Sequence, residues 1–341
     1  IDLRNVRGVR TGNALELTGL TVLLGPNGSG KSTVLEGLFL GSTRQPAAAL
    51  GRLTRRRRQT WNGARWFLHG GPDAVGEISA FWADGAIVTR RIAFIDSVPR
   101  SHLQTRLVEQ GAPGPYSSLE VTRKRPTSSS ELPSTAAFAA DNAYVAEDNE
   151  TELPQFPFVR LVDPSDGEPL HDLYSRAVRA GLRAQVLEQV RAVVPGVLNM
   201  EVLTETSQPR LFLTFANGAV PATLAGDGVA SMLRTAFELA ACREGSTALL
   251  EEPEVHQHPR SLLWGAKSIV AAVERGVQVI LTTHSLELLD LLLGELATLG
   301  EDHLAKACVV RTKLIDGELR TVRISGTDAS DARTDLQEDL R

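Results

Sequence analysis

Short apolar runs alternate with helical patterns in the final third of the chain. Strands are predicted at 247–251, 277–282, 307–311 and 318–324, and helices at 229–243, 260–275 and 285–298. Helices that alternate with short apolar strands are typical of an α/β fold with a parallel sheet. The apolar run at 286–299 is interrupted by acidic residues and is too short to span a bilayer, so no membrane partner is expected.

The first two thirds of the chain follow other patterns. Strands are predicted within 1–24, a helix from Lys31 to about Leu40, a hairpin of 77–83 with 86–95 across Asp84-Gly85, a helical stretch at 170–194, and a second hairpin of 198–203 with 211–215. Between about 123 and 157 the composition shifts to Ser, Thr, Pro, Ala and acids, which indicates a long loop or insertion. The polar, acid-rich end of the chain, 325–341, predicts a loosely held tail.

Composition indicates a globular protein, with 341 residues, 42% hydrophobic and 23% charged, and a net charge of −5. That length suffices for one large domain or two ordinary ones, and the charge excludes a generic polyanion binder. The cysteines, Cys242 and Cys308, lie in apolar surroundings and read as reduced core residues of a cytoplasmic protein.

Charge is nevertheless uneven along the chain. No acidic residue lies between Glu36 and Asp73, whereas this stretch holds a run of arginines at Arg52, Arg55, Arg56, Arg57 and Arg58. Three interpretations stay open: a solvated helix face, a site for nucleic-acid phosphates such as those of DNA, aided by the nearby Trp61, Trp66 and Phe67, or a surface for an acidic partner protein.

The segment Gly25 to Ser32 reads G-P-N-G-S-G-K-S and fits G-x-x-x-x-G-K-[ST], with a strand before it and a helix after it. Glycines let backbone N–H groups wrap phosphate oxygens, and the helix directs its positive end at the same place. Lys31 is predicted to reach the β- and γ-phosphates of ATP, and Ser32 to ligate Mg²⁺. The predicted phosphate-loop residues are Pro26, Asn27, Gly28, Ser29, Gly30, Lys31, Ser32 and Thr33.

Two adjacent carboxylates, Glu251 and Glu252, end the apolar strand 247–250 and precede Pro253. Glu251 is predicted to hold Mg²⁺ directly or through water. Glu252 is the candidate general base for a water in line with the γ-phosphate. A divalent cation would let the two carboxylates tolerate each other. The alternative is a pair of surface glutamates at a strand end.

A histidine also follows a strand, in Thr282-Thr-His284-Ser. Because ligands bind at the carboxyl ends of strands in such sheets, His284 is predicted to contact the γ-phosphate. Taken by itself, a histidine at this place would be interpreted as an ordinary loop residue, and the order of the motifs along the chain is what favours a functional one. His256 and His258 form an H-x-H pair that admits a metal site as an alternative.

The order of these motifs resembles the ABC-type ATPases, and within them the soluble branch of RecF, SMC heads and the OLD family. The segment Glu251 to Pro259 is similar to the OLD-like motif E-E-P-E-x-H-L-H-P, with Gln257 in place of leucine. Leu224-Ala-Gly-Asp-Gly228 occupies the place of the signature L-S-G-G-Q. The resemblance covers 1–40 and about 160–325.

The resemblance implies that the signature residues contact the γ-phosphate bound to the opposite protomer; they are Ala225, Gly226, Asp227 and Gly228. Ala225 lacks the hydroxyl of the family's serine, and Asp227 is predicted to cap the following helix. His258 is placed in the loop at the dimer seam. Glu251 stands where most of the superfamily has Asp, so a water between it and Mg²⁺ is expected, and hydrolysis is expected to be slow.

The fold implied is a P-loop NTPase of the ABC-ATPase head type, α/β with a mixed sheet core, an antiparallel β lobe and an inserted helical or irregular segment. A single domain is expected over 1–341, with its core at 1–40 and 160–325, an insertion at 41–159 and an acidic tail at 326–341.

The function implied is a Mg²⁺-dependent ATPase that dimerises around two ATP molecules and acts on DNA or on a separate nuclease or effector, in DNA repair or phage defence. An ATP-binding scaffold with very slow hydrolysis is the main alternative. A transport ATPase is disfavoured because the segment from Lys31 to Leu224 is too long. ATP and GTP are not distinguished, and Gln59 and Gln104 both stay open as the residue that senses Mg²⁺.

Overall fold

The computed structural model of the chain describes residues 1–12, 14–56, 61–124, 132–149, 159–162, 168–205 and 207–340. The strands are, in chain order, β1 (Asp2–Val6), β2 (Val9–Gly12), β3 (Leu20–Leu24), β4 (Val75–Phe81), β5 (Ile87–Ile95), β6 (Ser117–Lys124), β7 (Ser134–Phe138), β8 (Tyr144–Glu147), β9 (Val159–Val162), β10 (Asn199–Glu205), β11 (Gln208–Phe215), β12 (Gly218–Pro221), β13 (Thr247–Glu251), β14 (Gln278–Thr283), β15 (Ala307–Ile315) and β16 (Glu318–Ser325). The α-helices are α1 (Lys31–Ser42), α2 (Pro46–Arg55), α3 (Ser101–Glu109), α4 (Leu170–Arg179), α5 (Arg183–Val193), α6 (Asp227–Ala241), α7 (Pro259–Glu274), α8 (Leu286–Leu299), α9 (Glu301–Ala305) and α10 (Gly326–Thr334).

These elements form two compact units. Unit 1 comprises Ile1–Glu16, Pro26–Pro157 and Thr312–Thr321, and unit 2 comprises Leu17–Gly25, Phe158–Arg311 and Val322–Arg341. The boundaries differ from the division into core and insertion drawn from the sequence. The phosphate loop falls in unit 1 together with the segment predicted to be inserted, and the acidic doublet falls in unit 2.

Unit 2 contains the parallel sheet that the alternating pattern predicts. Its strands lie in the order β15, β3, β14, β13, β9, and each is parallel to its neighbours. Strands buried on both faces need continuous apolar runs, and β3 is buried over its whole length. The apolar faces of α7 and α8 pack in the same core as β3, β13 and β14. A separate antiparallel sheet of β10, β11 and β12 packs in a second core with α4, α5 and α6.

Unit 1 contains an antiparallel sheet in the order β8, β7, β6, β5, β4, β1, β2. The first residues of β16 pair in parallel with β2. The predicted hairpin across Asp84-Gly85 is present as β4 and β5. The α/β fold with both parallel and antiparallel pairing, and with an antiparallel lobe, is thereby confirmed.

The prediction of a long loop at 123–157 is wrong for the part of it that the structure describes. β7 and β8 lie there, and every residue of β7 is buried. The small residues of β7, from Ser134 to Ala137, are buried where α2 packs close: a Cβ on Gly51 of α2 would lie 2.0 Å from the Tyr144 ring. Small residues therefore fill a tightly packed core, and composition alone does not distinguish them from a loop.

Two further expectations need correction. The helical pattern at 170–194 is two helices, α4 and α5, because Gly181 between them takes a left-handed conformation, with φ 75°. The tail at 325–341 includes α10, whose first turn is capped by the Ser325 hydroxyl. Arg333 of α10 binds both carboxylate oxygens of Asp290 on α8 at 2.7 Å, so this segment is anchored and not loosely held.

Within the described residues, none of the helices combines the length and the apolar character needed to cross a membrane.

Candidate functional site

The phosphate loop of unit 1 turns through two glycines in left-handed conformations. Gly28 has φ 75° and Gly30 has φ 94°, values that residues with a Cβ rarely adopt. Gly30 immediately precedes the first residue of α1, Lys31. The hydroxyls of Ser29 and Thr312 hydrogen-bond at 2.7 Å in a buried position, which fixes the base of the loop.

The loop has the chemistry of an anion site. Lys31 is 4% exposed, and its ammonium donates to the carbonyl oxygen of Pro26 at 3.0 Å. The first N–H groups of a helix have no partners within it, and α1 has no acidic residue in its first turn. Nothing lies within 4 Å of a Cβ built on Gly28, so the loop has open space beside it. A buried ammonium and a positive helix end favour a phosphate group at this place.

The parallel sheet of unit 2 aligns three strand ends at one edge. In the register, Leu24 of β3 lies opposite Thr283 of β14, and Thr282 lies opposite Glu251 of β13. Glu251 therefore ends its strand beside the start of the Thr-His-Ser segment. β3 ends at this edge, and the chain continues from it into the phosphate loop. Gly25, which follows β3, is the last residue of unit 2 before Pro26.

Glu252 and His284 are brought into direct contact at this edge. The Nε2 atom of His284 lies 2.8 Å from the Oε1 atom of Glu252, and both side chains are about one-third exposed, at 33% and 34%. Glu252 has φ 42°, a strained conformation for a residue with a side chain. Its N–H bonds both the carbonyl and the hydroxyl oxygen of Thr282 at 3.1 Å, which holds the strained backbone in place.

The sequence alone assigns no role to Glu254. The structure places its carboxylate in contact with Thr283 and with the backbone of His284. Its Oε1 atom accepts hydrogen bonds from the Thr283 hydroxyl at 2.5 Å and from the N–H of His284 at 2.9 Å. The backbone that carries His284 is thus tied to a carboxylate two residues after Glu252. The signal in the sequence is a third acid after the doublet together with a second hydroxyl before the histidine, but only the register shows that they meet.

The signature loop of unit 2 contacts the segment that follows the acidic doublet. Gln257 donates from Nε2 to the carbonyl of Gly228 at 3.3 Å. A Cβ on Gly228 would lie 2.5 Å from the carbonyl oxygen of His256. The prediction that Asp227 caps the helix is wrong: α6 begins at Asp227 itself, after Gly226, whose φ is 109°, and no side chain caps it. Ala225 lies in the turn before it.

An ion-pair network holds α6 against the parallel sheet. Arg160 of β9 binds Glu238 of α6 through two hydrogen bonds of 2.6 and 2.7 Å, and Glu168 also accepts from Arg160. Burial lowers the pKa of Arg160, but the bond and charge of Glu238 outweigh it and raise that pKa above its usual value. The hydrogen bond from Arg176 lowers the pKa of Glu168. The pair is bidentate and Glu238 is 2% exposed, so it fixes the direction of the signature helix.

The predicted arginines and glutamines lie in different surroundings. Arg52 lies 5.8 Å over the Phe39 ring, Arg56 lies 3.9 Å from Glu36, and Arg55 is exposed. The described arginines therefore do not form one exposed cluster; Arg57, Arg58 and Gln59 lie outside the described residues. Gln104 is an exposed residue of α3.

The two histidines of the H-x-H pair, His256 and His258, have different local environments. His258 caps α7 by accepting from the N–H of Arg260, and His256 is exposed with φ 63°. The part of the chain that the structure describes holds no group of three or more His, Cys, Asp or Glu residues arranged to bind a metal. The cap gives His258 a structural role in this chain.

A protein-family model matches residues 20–76 and 118–290 of the chain. Its description reads "AAA domain, putative AbiEii toxin, Type IV TA system". The first matched range contains the phosphate loop, and the second contains the signature loop, the acidic doublet and His284. A comparison with curated protein sequences finds no significant match.

Among solved structures, the chain is similar to three SMC heads. An Smc head bound to the C-terminal winged-helix domain of ScpA has 12% identity, a TM-score of 0.46 and coverage of 96% of this chain and 98% of that one. An Smc head from Pyrococcus furiosus, with an extended coiled coil and bound to the C-terminal domain of ScpA, has 10% identity, a TM-score of 0.49 and coverage of 99% and 98%. The SMC head from Thermotoga maritima has 10% identity, a TM-score of 0.40 and coverage of 95% and 97%.

The close approach at Gly228 gives a test of the contact between the two loops. Gly→Ala within a helix usually stabilises a protein by about 0.5–1 kcal/mol. We expect Gly228→Ala to lower the free energy of unfolding by about 1–3 kcal/mol instead, because the new Cβ meets the His256 carbonyl. Gly265→Ala in α7, where nothing lies within 4 Å, is the control and should stabilise. Urea unfolding followed by circular dichroism measures both, and equal stabilisation of the two variants would contradict the contact.

Proposed function

The chain belongs to the AAA-domain family whose model it matches, and we propose that it is a Mg²⁺-dependent ATPase acting as a nucleotide-controlled switch. The observation that carries the proposal is the Glu252–His284 pair, held at the sheet edge from which the phosphate loop departs. An acid paired with a histidine at strand ends is suited to proton transfer from a water. Strained backbone conformations cluster at functional sites, and Glu252 has one.

In this proposal the phosphate loop binds the triphosphate of ATP. The glycine-rich turn and the first N–H groups of α1 surround the phosphate oxygens, and the Lys31 ammonium neutralises their charge. Ser32 and Glu251 are the residues proposed to hold Mg²⁺; they supply a hydroxyl and a carboxylate oxygen, which are ligand types that this ion prefers. The ion, when bound, would neutralise charge on the phosphates.

Glu252 is proposed to take the proton of the attacking water. His284, 2.8 Å from its carboxylate, orients that carboxylate and presents a second polar group towards the γ-phosphate. Glu254 is proposed as a positioning residue, because it acts on the backbone of His284 and not on the nucleotide. The side chain of Glu251 is one methylene longer than that of the Asp in related sequences, and this difference favours slow turnover.

Two copies of the chain are proposed to close around two nucleotides, with the signature loop of one copy facing the phosphates of the other. Gly226 and Gly228 offer backbone N–H groups there, and Ala225 and Asp227 complete the loop. The Gln257–Gly228 contact would then link the signature loop to the segment that carries Glu252.

The partners and the setting extend the proposal further. The resemblance to RecF, SMC and OLD-like proteins supports action on DNA, or on a separate nuclease or effector, in DNA repair or phage defence. A family description that names a toxin is compatible with the defence role. The free, buried Cys242 and Cys308 support a reducing compartment such as the cytoplasm. The second candidate, a scaffold that binds ATP and barely hydrolyses it, is favoured by Ala225 and Glu251.

Replacing the proposed base separates the two candidates. We expect Glu252→Gln to lower ATP turnover by about 100-fold or more, because an amide cannot accept the proton of the water. ATP binding should persist, so the variant should accumulate as an ATP-bound dimer. Turnover is measured by phosphate release, and dimerisation by light scattering with and without ATP.

The control for this substitution is Glu188→Gln, which makes the same change at an exposed position of α5. It should leave turnover and mass unchanged. A Glu252→Gln variant that behaves like this control in both measurements would favour the scaffold and contradict the switch.

Glu254 gives a second, finer test. Glu254→Ala removes the acceptor of the Thr283 hydroxyl and the His284 N–H, so we expect kcat to fall by about 10-fold or more with little change in KM for ATP. Glu254→Gln keeps an acceptor oxygen in that place and should retain most of the activity. Equal loss of activity in both variants would show that the charge of Glu254, and not its hydrogen bonds, is what matters.

A further inference from the structure

Two tryptophans of unit 1 lie largely in solvent, five residues apart. Trp61 is 60% exposed and Trp66 is 62% exposed, beside a single 3₁₀ turn over Gly63–Trp66. Isolated exposed apolar residues are common and need no explanation. Two indoles at one turn are different, because tryptophan is usually well buried and leaving two in water forgoes a large amount of apolar burial.

The turn between them is rigidly seated. The N–H of Gly63 donates to the side-chain oxygen of Asn142 at 2.8 Å, and Asn142 is 1% exposed. The N–H of Asn62 donates to the carbonyl of Ala140 at 3.0 Å. A Cβ on Gly63 would lie 2.8 Å from the Asn142 oxygen, so the turn and its support touch closely. Both tryptophans are thus carried by a fixed backbone, which reduces the entropy lost when a ligand binds.

Exposed positive charge accompanies the indoles. Arg65 lies within the turn and Arg55 ends α2; both are exposed, and neither side chain has an ion pair or hydrogen bond within the described residues. Arg52 and Arg56, by contrast, are engaged by Phe39 and Glu36. The acidic residue on the adjoining turn is Asp141, whose carboxylate accepts from the N–H of Ala143. Sequence positions 37–72 themselves contain no acid.

We propose that Trp61, Trp66, Arg55 and Arg65 form a binding surface for single-stranded nucleic acid. Unpaired bases stack on exposed aromatic side chains without regard to sequence, and arginines contact the phosphates between them. A duplex presents its phosphates but hides its base faces, so it can use the arginines and not the indoles. The inference names the partner class of the proposed switch and in that sense rests on the proposed function, although none of the four residues belongs to the nucleotide site.

The test is binding of fluorescently labelled single strands of about 12 nucleotides, within the usual site size for such surfaces. Oligothymidylate and oligouridylate distinguish DNA from RNA, and a duplex of the same length is the third ligand. Trp61→Ala and Trp66→Ala should each weaken single-strand binding by about 5- to 150-fold. Arg65→Ala should lower the slope of log K against log salt by about 0.7. Phe81→Ala, at an aromatic of unit 1 that is 50% exposed, is the control and should change nothing.

The outcomes separate this inference from the ATPase proposal. Lys31→Ala should abolish ATP turnover and leave binding of the single strand intact. The tryptophan variants should weaken binding of the single strand and leave ATP turnover intact. Binding that is unaffected by either tryptophan, or a duplex that binds as tightly as the single strand and is weakened equally by both tryptophan changes, would overturn the inference. Absence of single-strand binding at low salt would also overturn the inference, even if ATP turnover is normal. Tryptophan-dependent binding in a protein without turnover would support it and would count against the ATPase alone.

Discussion

The parallel pairing of β3, β14 and β13 is the constraint on which the candidate site depends. Its hydrogen bonds put Leu24 beside Thr283, and Thr282 beside Glu251, so three strands end at one edge of the sheet. Each of the three strands leads into one segment of the candidate site: β3 into the phosphate loop, β14 into the Thr-His-Ser segment, and β13 into the acidic doublet. A slip of one residue in either pairing would turn each side chain to the other face and separate Glu252 from His284.

Around that edge, short-range hydrogen bonds convert strand order into a defined geometry. Thr282 holds the strained Glu252, and Glu254 holds the backbone of His284. The Glu254 carboxylate accepts two hydrogen bonds there, which offset part of the cost of removing it from water. The same principle operates at the signature helix, where the bidentate Arg160–Glu238 pair leaves neither charge alone in a buried position.

The motifs could be found from the sequence because each is a local pattern. A phosphate loop depends on glycines within eight residues, and the strand ends are marked by apolar runs that stop at polar residues. The contact of Glu254 with Thr283 could not be found, because it joins residues 29 apart through the register of two strands. The strand β7 was missed for another reason: its Ser, Thr and Ala residues are buried by a closely packed helix, a tertiary effect that composition does not record. The anchoring of α10 likewise depends on Asp290, a partner on another helix.

The central claim is that the phosphate loop binds ATP together with Mg²⁺. Isothermal titration calorimetry of ATP into the unaltered protein, with Mg²⁺ and then with the ion chelated, tests it without requiring turnover, dimerisation or a partner. The account predicts saturable binding of one ATP per chain that weakens by at least about 10-fold when Mg²⁺ is removed, and also in Lys31→Ala, since each loses a cation that faces the phosphates. Absence of binding in the unaltered protein, or binding of equal strength in Lys31→Ala, would contradict it.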